Sequence, residues 1–237
     1  MRKIKASSNY LKKQTLTNLI KAALCIFIFG VLLIGIMFRS FLTLQLDLLN
    51  QVGLVLLLAP SVASYYYLRQ YHRYNGGWQG EKRVAKLLNN TLSDDYFLIN
   101  DLYLREGGGD VDHVVLGPNG IFVLETKNWN GKIMCNGDEW QRGGKRNFKS
   151  SPSRQVNRNV EKIKKIIDNS TLRPLNVRVE GIVVMTNKYA KLHINNPSVP
   201  VLKLSQLPNY LITHRSQRQF TLEQLEAIGK EIAKQKA

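Results

Sequence analysis

Ala22 to Phe38 is an unbroken run of apolar residues and glycine, and it constrains the chain more than any other feature. A second run, Leu48 to Leu68, is nearly as apolar, with Asn50, Gln51 and serines inside it. Each is close to the ~20 residues that cross a bilayer as a helix. The first run exceeds the ~7–15 apolar residues of a secretory leader, no A-x-A-like site follows it, and the second run comes soon after. The sequence therefore predicts a retained two-helix transmembrane hairpin over residues 19–74, after a basic segment at 1–18 and before a soluble domain at 75–237. Arg2, Lys3, Lys5, Lys12, Lys13 and Lys21 precede the first run, Arg69 and Arg73 follow the second, and the short connection sets Arg39 against Asp47. By the positive-inside rule both termini and the soluble domain face the cytoplasm of a two-pass cell-membrane protein. Tyr65, Tyr66, Tyr67 and Tyr71 suit an interfacial aromatic belt, and would equally suit an ordinary helix. Cys25 falls in the first run and Cys135 in the soluble part, so they are poorly placed to pair, and no C-x-x-C is present to signal zinc.

Beyond the apolar runs, "DVDHVVLGPNGIFVLETKNWNGKI" from Asp110 to Ile133 carries the chemistry. Val111 to Leu116 and Ile121 to Glu125 are β-branched or aromatic, and Gly117, Pro118, Asn119 and Gly120 are turn formers, which predicts a hairpin with a four-residue loop. Leu116 then faces Ile121, and counting back sets Asp112 opposite Glu125 and Asp110 opposite Lys127, all on one face. Directly opposed like charges repel. Lys127 supplies part of the missing positive charge, and two converging carboxylates beside an ammonium also suit a hard divalent cation such as Mg²⁺. Taken singly, each residue reads as well as a solvated feature of a strand edge. His113 points to the opposite face and reads as structural.

Two helices add candidates. Glu81 opens a helical pattern with Val84, Ala85 and Leu88, at the end of the stripe that faces the core. It is either a metal-site carboxylate or a first-turn acid favoured by the helix dipole. Ser151 as N-cap and Pro152 at the first helical position announce a second helix, whose stripe is Val156, Val160, Ile163 and Ile167. Gln155 borders that stripe and could reach a phosphate or water, or be a plain boundary residue. Farther on, Val177 to Met185 and Val199 to Leu204 read as strands, and Thr221 with Gln224 as a capping box for the helix carrying Leu222, Leu225, Ile228 and Ile232. This alternation is that of a three-layer α/β domain. "RYNGGWQG" before it reads as a short hinge.

The run from "GWQGEKRVAKLL" through "NDLYL", "GDVDHVVLGPNGIFVLETKNWNGKI" and "SPSRQVNRNV" resembles the nuclease-related domain family, NERD, of the PD-(D/E)xK nuclease superfamily. The resemblance implies a restriction-endonuclease-like mixed sheet flanked by helices and Mg²⁺-dependent phosphodiester cleavage, with Mn²⁺ as a substitute ion. It implies Asp112 as the acidic metal ligand, Glu125, Thr126 and Lys127 as the E-x-K, the Thr126 carbonyl as a further ligand, and Glu81 and Gln155 as the helical members of the catalytic set.

Charge adds a partner. From Arg69 onward there are 27 Lys and Arg against 16 Asp and Glu, a formal +11. Nine of the basic residues lie between Arg142 and Lys165, where only Glu161 is acidic. Arg142, Lys145, Arg146, Lys149, Arg154 and Arg158 are thus candidates for holding a nucleic-acid backbone through phosphate contacts, with DNA placed ahead of RNA. Anionic lipid headgroups of the bilayer and plain solubility are the competing uses of the same charge. Two functions follow: a membrane-anchored cytoplasmic nuclease, or an anchored module that binds nucleic acid or anionic lipid without turnover. The sequence is silent on oligomeric state.

Overall fold

The computed structural model describes residues 1–4, 9–43, 48–104, 110–143, 151–215 and 219–235, which form two compact units. Asn9 to Trp78 make the first: α1 (Tyr10–Thr43), α2 (Leu48–Leu56) and the first part of α3 (Leu58–Thr91). Two helices here are long and apolar enough to cross a membrane, by length and composition. Their apolar side chains point outward, with Phe27, Ile34, Phe38, Phe41 and Val62 each more than 60% exposed. A core helix of a soluble protein would bury such residues. Within this unit Tyr10 meets Tyr74 edge to face at 6.5 Å, and the Lys21 ammonium lies 5.4 Å from the Tyr67 ring centre.

The sequence predicts a hinge at "RYNGGWQG", but α3 runs through it unbroken. The glycines serve close approach instead of bending. A Cβ at Gly77 would stand 3.3 Å from Leu11, and one at Gly80 would stand 3.0 Å from Thr186 Oγ1.

Residues 1–4 and the chain from Gln79 onward form the second unit. Its main sheet has the order β1-β2-β3-β4-β7-β9, from Arg2–Ile4, Phe97–Tyr103, Asp110–Gly117, Gly120–Lys127, Val179–Met185 and Val201–Lys203. β3 is antiparallel to β2 and β4, whereas β1, β7 and β9 each lie parallel to their neighbour. α4 (Pro152–Asp168) and α6 (Leu222–Lys234) cover one face, through Val156, Ile163, Ile167, Leu225, Ile228 and Ile232. The end of α3 and α5 (Leu207–Thr213) cover the other, through Val84, Leu88, Leu207 and Leu211. This is the mixed, helix-flanked sheet expected from the sequence. A small second sheet, β6-β5-β8, combines Glu139–Arg142, Gly131–Asn136 and Ala190–Asn195.

Ser151 caps α4 by accepting from the Arg154 N–H, and Thr221 with Gln224 forms the expected box on α6. Leu222, the first residue of α6, is 37% exposed, while Leu225, Ile228 and Ile232 are buried. β1 was hidden in the basic N-terminal segment. Arg2–Ile4 pairs with Phe97–Ile99, and Ile4 packs where a Cβ at Gly229 would come within 2.2 Å.

The hairpin closes more tightly than a four-residue loop. Gly117 pairs with Gly120, leaving Pro118 and Asn119 to make the turn. A Cβ on Gly117 would strike the Tyr96 ring at 2.3 Å, which fixes glycine there. Asn119 is buried: its Nδ2 donates to the carbonyls of Leu211 at 2.6 Å and His214 at 3.1 Å, and its Oδ1 accepts from the Tyr96 hydroxyl at 3.3 Å. One side chain thereby joins the turn to the end of α5. Asn119→Ala should lower unfolding stability by about 1–3 kcal/mol, the cost of leaving buried partners unpaired, read as a fall in the urea midpoint at unchanged slope.

Candidate active site

The hairpin register places the charged residues together. Leu116 pairs with Ile121 and His113 with Leu124, and at that point the β3–β4 ladder ends. One step farther, where Asp112 and Glu125 would pair, the strands part. The Asp112 side chain takes over, its Oδ2 accepting the Thr126 N–H at 2.6 Å. Two unlike arrangements thus hold two carboxylates: Asp112 by a backbone amide, and Glu125 by the Lys127 ammonium at 2.5 Å.

Glu125 is 1% exposed, in the middle of the sheet between β3 and β7. Its Oε1 receives Lys127, but its Oε2 is buried with no hydrogen-bond partner among the described residues. Lys127 also donates to Gln155 Oε1 at 3.3 Å, and its ammonium stands 5.9 Å from the Trp129 ring centre. Gln155 therefore orients the cation from α4. From the same helix, the exposed Arg158 adds positive charge felt by Glu125.

Glu81 comes from the opposite helical layer. It lies well inside α3, so it is not the first-turn acid that the sequence left open. Burial, then the charges of Asp112, Asp101, Glu125 and Asp110, push its carboxyl up to about 9. Burial and Asp112 outweigh Lys127 at Glu125 and raise it to about 8. Asp112 is raised to about 6 by burial, held from going higher by Lys127 and the Thr126 amide. Burial alone would lower the Lys127 ammonium, but Glu125 and Asp112 carry it above its usual value.

Asp101 belongs to this group and was missed from sequence. It is a non-glycine residue at φ 54°, in β2, at the level of Asp112 between the pairs Asn100–His113 and Leu102–Val111. Its only sequence signal was an aspartate inside an apolar strand. His113 lies on the other face, as expected: its Nδ1 is 2.8 Å from Asn100 Oδ1, and burial lowers the imidazole to about 3, so it is neutral.

The basic candidates separate. Arg142 is bound to Asn130, with Nε donating to the carbonyl at 3.0 Å and a terminal nitrogen bonded to the side-chain oxygen. Arg154 and Arg158 are exposed on α4. Lys145, Arg146 and Lys149 lie outside the described residues.

Among the described residues no three His, Cys, Asp or Glu side chains are gathered as a ready metal cage. A Mg²⁺ ion needs less, since it keeps several waters and commonly takes one or two carboxylates. Asp112 and Glu125 fit that demand, and the unpartnered Glu125 Oε2 beside Asp112 is a place where a cation would relieve both burial and repulsion. Thr126 fits as well. The Lys127 carbonyl accepts from Thr186 in the ladder to β7, so by alternation the Thr126 amide and carbonyl face β3, where the amide already meets Asp112.

Residues 76–186 match the family model for the nuclease-related domain, NERD. A 60-residue stretch is 35% identical to an uncharacterized protein of Bacillus anthracis, covering 24% of this chain and 28% of that protein. The chain thus aligns with well under a third of that relative's length. No solved structure matches the chain.

The raised carboxylates make the metal-free domain pH-sensitive. Glu81 keeps its proton in the folded state up to about 9 but releases it near 4.5 when unfolded. The folded state therefore binds more protons between these values, and stability falls as pH rises. His113 is neutral in both states above its ordinary value of 6.5 and does not oppose this. The melting temperature in EDTA should fall between pH 6.5 and 9, and Mg²⁺ should raise it more at pH 8.5 than at pH 6.5.

Proposed function

With residues 76–186 a nuclease-related domain, we propose that the protein is a membrane-anchored, cytoplasmic, Mg²⁺-dependent nuclease that hydrolyses phosphodiester bonds. The observation that carries this reading is a buried glutamate with one oxygen on Lys127 and the other unpartnered, beside Asp112. An apolar residue would be cheaper at such a position in a purely structural sheet.

Asp112, Glu125 and the Thr126 carbonyl are the groups that would hold Mg²⁺. When bound, the ion would acidify a water and offset charge on the scissile phosphate. Lys127 holds a proton at Nζ and presents it to the negative charge that grows on the phosphate, at no cost in reorganisation, because Glu125 and Gln155 already fix it. Glu81, whose raised carboxyl keeps its proton near neutral pH, is placed to give that proton to the leaving oxygen. Arg154 and Arg158 offer exposed cations for the nucleic-acid backbone.

Support for the anchor comes from the outward-facing apolar side chains of α1 and from the topology. β1 precedes α1 and β2 follows α3, yet the two pair in one sheet. Two crossings would return the chain to the side it left, and the basic flanks favour the cytoplasm as that side.

The test uses full-length protein in detergent micelles, because Arg2–Ile4 forms an edge of the domain. Labelled DNA and RNA should be cut with Mg²⁺ or Mn²⁺ and not with EDTA, and Glu125→Ala and Lys127→Ala should each reduce the rate at least ~100-fold. Salt-sensitive binding without cleavage in any metal would overturn the catalytic reading and leave an anchored binding module.

A further inference from the structure

Four large apolar side chains in the α/β unit are strongly exposed among the described residues: Tyr103, Tyr189, Ile212 and Leu222. They divide by position. Ile212 and Leu222 lie near the hairpin turn, where Asn119 bonds the end of α5 and Pro118 accepts from the Phe220 amide. Both tyrosines lie at the opposite end, with the carboxylates. Tyr103 closes β2 and pairs with Asp110. Tyr189 follows β7 in the turn Thr186–Tyr189, whose first residue donates its amide to the Lys127 carbonyl and whose last donates its amide to Asn187 Oδ1 at 3.0 Å.

Tyr189 is 67% exposed and still oriented. The Lys188 ammonium stands 4.9 Å from its ring centre, and the turn fixes the backbone. A second cation is linked through the small sheet: Arg142 is bound to Asn130, whose neighbour Gly131 pairs with Ala190, the residue after Tyr189. A lone exposed tyrosine is unremarkable on most surfaces. Here, however, the exposed rings occur on both sides of the carboxylate site, and the aliphatic residues do not. β2 and β7 are three strand spacings apart, about 14 Å, so the carboxylates of β3 and β4 lie between the strands that carry them.

Resting on the nuclease reading above, we propose that Tyr189, with Tyr103 on the opposite flank, stacks an unpaired base beside the scissile phosphate, so that the preferred substrate is single-stranded nucleic acid. A ring next to fixed cations is the combination that grips a single strand, the ring taking a base and the cations the backbone. A duplex hides its base faces and gains nothing from the ring.

The test measures fluorescence anisotropy of the full-length protein in micelles, in EDTA to prevent cleavage, with a labelled 20-nucleotide single-stranded DNA and the blunt duplex of the same sequence at one salt concentration. Tyr189→Ala should weaken single-strand binding about tenfold and duplex binding less than twofold, Tyr189→Phe should stay near wild type on both, and Tyr103→Ala should follow Tyr189→Ala more weakly. Equal losses on both DNAs, or no loss with Tyr189→Ala, would overturn the stacking role while leaving the nuclease reading intact. A wild-type protein that binds neither DNA and cuts neither in Mg²⁺ would overturn both.

Discussion

The Lys127–Glu125 ion pair is the interaction around which the α/β unit is arranged. A carboxylate inside a central strand is costly unless its partners are in place. Lys127 is on the same strand, two residues away, but its own ammonium is largely buried and must be oriented as well. Gln155 does this from α4, and Trp129 borders the cation from the connection to β5. One neutralised charge therefore depends on the sheet, a helix and a loop at once.

The two ends of the hairpin are built on different terms. At the turn, contacts are apolar or fully paired: Gly117 under the Tyr96 ring, and Asn119 bonded to α5 and to the Tyr96 hydroxyl. At the other end the ladder stops after His113–Leu124, and a side chain replaces a backbone partner. Repulsion between Asp112, Glu125, Glu81 and Asp101 is concentrated there, shown by carboxyls driven upward. The rigid end holds the register and the open end carries the stored electrostatic cost. This division is expected when a site must be preorganised without bound ligand.

α3 links two parts of the sequence that look independent. The helix begins in the second apolar run and ends beside the sheet, carrying Glu81 in its later half. Gly77 and Gly80 sit where neighbours come close, so residues that suggest flexibility in a sequence instead permit packing in a helix.

The charged residues Asp112, Glu125 and Lys127 at the open end of the hairpin were legible because side chains alternate along a strand and a Gly-Pro-Asn-Gly turn sets the count. The apolar runs, the Ser151 and Thr221 caps and the core stripes of α4 were legible for the same reason, since each depends on residues near in sequence. Other features were not. That Arg2–Ile4 is an edge strand, that Asp101 adopts a left-handed backbone beside Asp112, that Asn119 holds α5 and that Gln155 orients Lys127 all depend on partners 11 to 95 residues away. The sequence by itself determined the apolar runs, the strand pairing of the hairpin and the kind of charge it carries, because local periodicity decides these. Only the tertiary structure decided which charges are buried, which are paired and which oxygen is left without a partner, because burial and electrostatics depend on what the rest of the chain packs around them.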